Sequence, residues 1–429
     1  MSLTAVVIVM VAAVLIGAFG IRVSRTTSDF YVASRTVTPL WNASAIGGEY
    51  LSAASFLGVA GLILSFGVDM LWLPVGWTGG YLVLLVLVSA PLRRSGAYTL
   101  PDFAEARLES MTVRRTASVL VVLIGWLYLM PQFQSAGLVL RTITGAPVWA
   151  GGLLVAVVVA VNVLSGGMRS ITFVQAFQYW LKLTALAVPL VFLLMAWQAH
   201  GAPGVSAADA VTWQVPLGGS KEYGLYSTYS LILATFLGTM GLPHVLVRFY
   251  TNAGAFAAFL STSSGLTVSV AGVIAQDLLK GSVRAFRMAT LMAVAVPLAL
   301  ALWARALPVA DVVGLAFAVA ASSFCPLLVL GIWWRRLSTA GALAGLFVGG
   351  GLACGAVLVT IVGGPQGGLA GALLAQPAAW TVPIAFVVMV AVSFLTPHRV
   401  PSGVARTMVR LHTPEDLDLD RGDWRPRSS

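Results

Sequence analysis

Charge is the scarce commodity in this chain. Only 9% of its 429 residues are Asp, Glu, Lys or Arg, against roughly 25% in a soluble domain whose surface must face water. Such a chain cannot clothe a globular surface, and a soluble enzyme is excluded. The 59% of hydrophobic residues fall in long continuous runs that do not alternate with period two. A β-barrel is therefore excluded as well, leaving an all-α polytopic membrane protein. Cysteine is nearly absent: Cys325 and Cys354 both sit within apolar stretches, so neither a disulfide framework nor a metal spacing exists. Lysine occurs only as Lys182, Lys221 and Lys280. Also missing are His-Glu-x-x-His, paired intramembrane aspartates and a nucleophile elbow, so neither an enzyme nor a cofactor is expected. The net charge of +10 does not imply nucleic acid. The basic residues lie in short segments between apolar runs, as in cytoplasmic loops, with no aromatic stacking platform beside them.

Apolar runs of about 20 residues, each long enough to cross a bilayer, are expected as about twelve helices. They lie near 4–22, 38–64, 69–92, 116–140, 146–165, 171–199, 226–248, 254–278, 285–304, 309–333, 338–362 and 380–396. Met1 to Leu3 lacks a basic segment and Arg22 and Arg25 follow the first run, which reads as an uncleaved first span with its N-terminus outside. The charged tail after Pro397 is expected to be cytoplasmic and loosely ordered.

Two spans carry helix breakers. The second contains Gly47-Gly48-Glu49 and then Ser52-Ala53-Ala54-Ser55; the seventh contains Gly238-Thr239-Met240-Gly241-Leu242-Pro243-His244. Backbone groups freed at mid-membrane are tolerated only where protein or a wet cavity satisfies them. Small residues also serve ordinary helix packing, but two matched interruptions point to a transporter's central site. Glu49, an intramembrane carboxylate beside the first break, is a functional candidate by default; the alternative is a residue facing a wet vestibule. Gln132 and Gln134 flank the path beside Pro131 or bond neighbouring helices. His244 and a half-helix N-terminus would suit a carboxylate substrate.

The residues Ser28-Asp29-Phe30-Tyr31, the block from Asn42 to Gly58, Tyr98-Thr99-Leu100-Pro101-Asp102-Phe103, Gly166-Gly167-Met168, and Gly241-Leu242-Pro243-His244 with Arg248-Phe249-Tyr250 resemble the sodium:solute symporter family, most nearly its acetate (monocarboxylate)/cation branch. The resemblance runs from about Ser28 to Pro397. It implies a LeuT-like core of two inverted five-helix repeats whose first and sixth helices are broken. It further implies a sodium site built from the carbonyls of Gly48, Leu51 and Ala258 and the hydroxyls of Ser261 and Thr262. Helix–helix hydrogen bonding is the alternative role of those hydroxyls. Oxygen ligands of this kind suit a hard cation without burying net negative charge. Glu49, Ser52, Gln132, Gly238, Thr239, Gly241 and His244 are the substrate candidates.

On this scheme, residues 1–37 form an extra helix and cytoplasmic loop and 38–200 the first repeat. An extracytoplasmic loop (201–225), a second repeat (226–333), two extra helices (334–396) and a cytoplasmic tail (397–429) follow. The second repeat comes out incomplete. Arg248 and the Lys280/Arg284/Arg287 group both read as cytoplasmic, yet a single span lies between them. Thr251 to Ala255 stands where the family carries its seventh core helix. Five residues reach about 17 Å, short of the roughly 30 Å hydrocarbon layer. The expected function is sodium- or proton-coupled symport of a small organic anion, such as acetate or pyruvate, across the inner (cell) membrane. The alternatives are a transport-deficient, internally deleted relative, or a membrane sensor or assembly protein. The shortness of the tail argues against a sensor.

Overall fold

A computed structural model describes residues 2–23, 38–50, 58–97, 99–204, 223–246, 262–279, 282–303, 309–363 and 367–414. Among these residues the secondary structure is helical throughout, with no strand. In chain order the elements are α1 (Ser2–Val23), α2 (Pro39–Tyr50) and α3 (Val59–Phe66), then α4 (Val68–Arg94) and α5 (Leu100–Leu108). They continue with α6 (Met111–Thr144), α7 (Val148–Ala199), α8 (Gly224–Gly241), α9 (Thr262–Leu278), α10 (Val283–Trp303) and α11 (Val309–Trp333). The last four are α12 (Thr339–Gly363), α13 (Gly368–Ala375), α14 (Ala378–Leu395) and α15 (Val404–His412). Eight stretches of described helix are long and apolar enough to cross a membrane. Large apolar side chains such as Trp149 and Val157 on α7, Met288 and Leu291 on α10, and Val387 and Phe394 on α14 are exposed. An apolar exterior of this kind is what a helix bundle presents to lipid.

α6 and α11 form the axis of the bundle. α6 touches α5, α7, α9, α10, α11 and α12, while α11 packs on α6, α8 and α14. From Val312 to Leu328 every residue of α11 is buried, so this helix sees protein on all sides. Close approach relies on small residues, as is usual where no water drives helices together. A Cβ on Gly76 or Gly80 of α4 would run into Thr235 or Phe236 of α8.

One expected connector is absent. The spans expected at 146–165 and 171–199 are a single 52-residue helix, α7, running through Gly166 to Ser170. Glycine in a helix interior costs only about 0.5–1 kcal/mol, and neither a proline nor a capping turn is present to overrule continuation. At 1.5 Å per residue the rod is about 78 Å long, more than twice the hydrocarbon thickness. Ile171 to Ala176 pack inside the bundle, whereas residues 183–199 are exposed all round.

The basic end of the bundle is fastened by ion pairs. Thr99 caps α5 in a reciprocal box, its side chain accepting from the Asp102 N–H while the Asp102 carboxylate accepts from the Thr99 N–H. Asp102, so placed, meets Arg114 of α6 at 2.8 Å. Arg114 also reaches Glu105 at 2.5 Å and Asp277 of α9 at 2.6 Å. The Ser118 hydroxyl donates to the second oxygen of Asp277. Arg107 is fully buried and donates to the carbonyls of Gly331 (2.7 Å) and Trp334 (3.0 Å) at the end of α11. A cation at a helix C-terminus complements its unpaired carbonyls. Burial pushes the Arg107 pKa down to about 10, against the upward pull of Glu109, so it stays charged at neutral pH.

Removing one partner of a buried ion pair strands the other, at about 3–5 kcal/mol. Arg114→Gln strands three carboxylates at once and is expected to lower the thermal unfolding temperature of the purified protein by several degrees. Thr116→Val, at a half-buried hydroxyl on the same helix that bonds only the Thr112 carbonyl of its own turn, is expected to leave it nearly unchanged. Equal unfolding temperatures for Arg114→Gln and wild type would show that the cluster does not hold the bundle.

Candidate functional site

The interruption expected in the seventh span is present and sharp. α8 stops at Gly241, Leu242 takes an extended conformation (φ −74°, ψ 122°), and helix resumes at Pro243. Pro243 cannot donate, so it suits the first position of the new turn, where an N–H would have no helical partner. The Leu242 carbonyl opens the next turn by accepting from the Leu246 N–H at 3.1 Å. Gly238 and Gly241 set how closely α8 lies on α11. A Cβ on either would stand 2.4 Å from a backbone oxygen, that of Phe317 or Ala320 respectively. Thr239 is fully buried and donates its hydroxyl to the Thr235 carbonyl of its own helix at 2.6 Å.

His244, one residue past the restart, is buried with its ring 5.1 Å from that of Tyr128 on α6. Tyr128 meets Phe317 of α11 at 6.0 Å, and Phe317 stacks on Trp77 of α4 at 6.0 Å and 25°. Four helices thus meet in one aromatic group beside the break. Gln132 lies one turn beyond Tyr128, on the same face of α6. It is buried, and among the described residues its amide Nε2 has no hydrogen-bond partner. A buried donor left unpaired is rare in proteins and calls for an acceptor. Gln134, by contrast, donates to the Ala301 carbonyl of α10 at 3.1 Å, so of the two glutamines this one bonds a neighbouring helix.

The expected sodium ligands are only partly within the described residues. Gly48 is buried in α2, which runs unbroken through Gly47-Gly48-Glu49 to Tyr50. Those glycines lie in the last turn of α2, and the rest of the expected interruption, Ser52-Ala53-Ala54-Ser55, lies outside the described residues. Leu51, Ser52, Ala258 and Ser261 lie outside the described residues, as does Arg248. Thr262 is the first residue of α9, and Glu49 lies within α2; of each, only the backbone is described. α2 and α9 do touch, so the two helices that carry the expected ligands are neighbours. Of the substrate candidates, Gly238, Thr239, Gly241 and His244 lie along α8 and its restart on either side of Leu242, and Gln132 lies one turn from Tyr128, whose ring meets His244. Tyr128, Trp77 and Phe317 complete the group. Their spacing carried no signal, since aromatic residues are common in any apolar span.

An interrupted helix, buried between continuous ones and faced by aromatic and amide side chains, defines a multi-pass membrane transporter. The sodium:solute symporter family model matches residues 30–274 and 252–349, and the chain belongs to that family. A Bacillus subtilis protein named as an uncharacterized symporter, YwcA, is 30% identical over 438 residues, covering 82% of this chain and 84% of its own. A Corynebacterium glutamicum protein named as a monocarboxylic acid transporter is 27% identical over 432 residues, covering 77% and 78%. Among solved structures, a sodium-coupled sialic acid symporter in a substrate-bound outward-open state superposes with a TM-score of 0.67. It covers 91% of this chain and 95% of its own at 14% identity. The LeuT-like all-helical fold expected from the sequence is the fold observed.

Because Gly238 abuts backbone rather than a flexible side chain, Gly238→Ala is expected to push α8 off α11. A loss of about 1–3 kcal/mol is usual for overpacking. Gly351→Ala on α12, where an added Cβ meets nothing within 4 Å, is the control and is expected to be neutral or slightly stabilising. Thermal unfolding of both variants checks this; equal shifts would remove the packing argument.

Proposed function

We propose that this chain couples sodium entry to uptake of a small organic anion of the acetate or pyruvate class. The reading rests on Gln132: among the described residues its buried amide donor has no acceptor, one turn from Tyr128, whose ring meets His244 just past the break, and a carboxylate would supply that acceptor. The aromatic group offers an apolar wall to a short carbon chain, and the N-terminus of the helix restarting at Pro243 favours negative charge. The similarity to a monocarboxylic acid transporter supports the same substrate class. Sodium would be held by Gly48, Leu51, Ala258, Ser261 and Thr262, with alternating access by rocking of the bundle around the site. Glu49 and Ser52 would line the same path from the first break.

A second reading has one observation in its favour. Residues 183–199 of α7 are apolar yet exposed all round, which accords with the expectation that the five residues Thr251–Ala255 are too few for a crossing. A helix whose neighbour has been deleted would look like this, and transport would then be lost.

Sodium-dependent uptake of labelled acetate and pyruvate into vesicles holding the purified chain separates the two. Uptake driven by a sodium gradient is expected. Gln132→Leu should raise the substrate KM about tenfold or more, the worth of one hydrogen bond to a charged group. Ser261→Ala with Thr262→Ala should raise the sodium concentration needed. Inserted, folded protein without uptake would favour the deleted relative, and an unchanged KM in Gln132→Leu would remove Gln132 from the site.

A further inference from the structure

Arg114 and Arg115 are adjacent on α6 and have opposite surroundings. Arg114 points inward to three carboxylates, whereas Arg115 is exposed and, among the described residues, no ion pair or hydrogen bond engages it. Arg115 stands at the mouth of a groove of about 330 Å³ between α6 and α12. The walls are apolar: Leu120 and Leu123 on α6, and Leu346 and Phe347 on α12, with Gly351 opening the floor. An added Cβ on Gly351 would meet nothing within 4 Å. The other polar residue at the mouth, Thr116, has its hydroxyl donated to the Thr112 carbonyl at 3.0 Å. Arg115 is therefore the one strong donor left in the groove.

The two helices run parallel here, Arg115 to Leu123 alongside Leu346 to Cys354, so the groove extends about 12 Å down the bundle wall. It is a trough with a fixed cation at its basic, water-facing end and hydrocarbon-like walls below. We propose that this groove is a binding site for a single anionic phospholipid, with one acyl chain in the trough and the headgroup phosphate on Arg115. A guanidinium binds phosphate oxygens in a forked geometry that a zwitterionic headgroup, carrying its own cation, satisfies less well. A soluble phosphate would gain nothing from the apolar walls, and the bilayer places acyl chains at this depth.

The full chain, purified in detergent, is titrated with phosphatidylglycerol and with phosphatidylcholine of matched chains, and bound lipid is counted by native mass spectrometry. Wild type is expected to retain one phosphatidylglycerol in preference to phosphatidylcholine. Arg115→Gln should weaken phosphatidylglycerol roughly fivefold, the value of one basic residue at an anionic headgroup, and leave phosphatidylcholine unchanged. Arg115→Lys should keep part of the preference. Gly351→Trp, which fills the trough, should weaken both lipids. Arg336→Gln, an exposed arginine outside the groove, should change nothing. Equal retention of the two lipids by wild type would overturn the site, as would equal losses in Arg115→Gln and Arg336→Gln. Glycerol phosphate competing as well as the lipid would show an ion site without a chain.

Discussion

The Arg114 guanidinium is the point on which the bundle turns. It brings together carboxylates from α5 and α9 on the first turn of α6, and each of those groups is costly to bury alone. Arginine suits the task because its planar, multi-donor head can serve three acceptors at once, which a lysine point charge cannot. The consequence reaches far along α6. Gln132 lies 18 residues beyond Arg114, five whole turns, so it leaves the helix on the same side about 27 Å further on. Fixing the rotation of α6 at its charged end thereby fixes the direction of the unpaired amide in the middle of the bundle.

Much of this architecture was legible in the sequence because it follows from local rules. Runs of apolar residues give spans, and Gly241-Leu242-Pro243 gives a break, since glycine and proline act on their own backbone. What could not be read is what depends on distant partners. Asp277 is 163 residues from Arg114, and Trp77, Tyr128 and Phe317 meet only because three helices cross. Gln132 and Gln134 look alike in the sequence, beside the same proline. Only the placement of Ala301 on α10 tells the glutamine that bonds a neighbouring helix from the one whose amide N–H finds no acceptor among the described residues. The connector expected at 166–170 is absent for a related reason: two glycines permit a turn without compelling one, and the helix continues.

α5 shows how a short helix can carry disproportionate weight. Its nine residues include three that reach other helices: Asp102 and Glu105 to α6, and Arg107 to the end of α11. Its last carbonyl, that of Leu108, accepts from Thr339 at the start of α12 at 3.2 Å. α15 closes the same end from outside, where Arg410 donates to the Arg94 carbonyl and Arg94 to the Leu411 carbonyl. The charged end is thus cross-braced through backbone carbonyls and ion pairs, while the opposite end relies on apolar packing and a few hydroxyl bonds such as Tyr226 and Ser230 to the Gln376 carbonyl.

Leu242 gives this asymmetry a mechanical meaning. A continuous helix transmits torque along its length, because every turn is hydrogen-bonded to the next. One extended residue interrupts that transmission. On one side of it, the glycines of α8 lie against the backbone of α11 too closely to slide independently, so the two helices behave as one stiff plate. On the other side, the turn that begins at Pro243 follows the extended backbone of Leu242 and, among the described residues, has no helical hydrogen bond across it. The side chain it carries, His244, rests on Tyr128 of the braced helix. Leu242 is therefore a universal joint between a plate and a post.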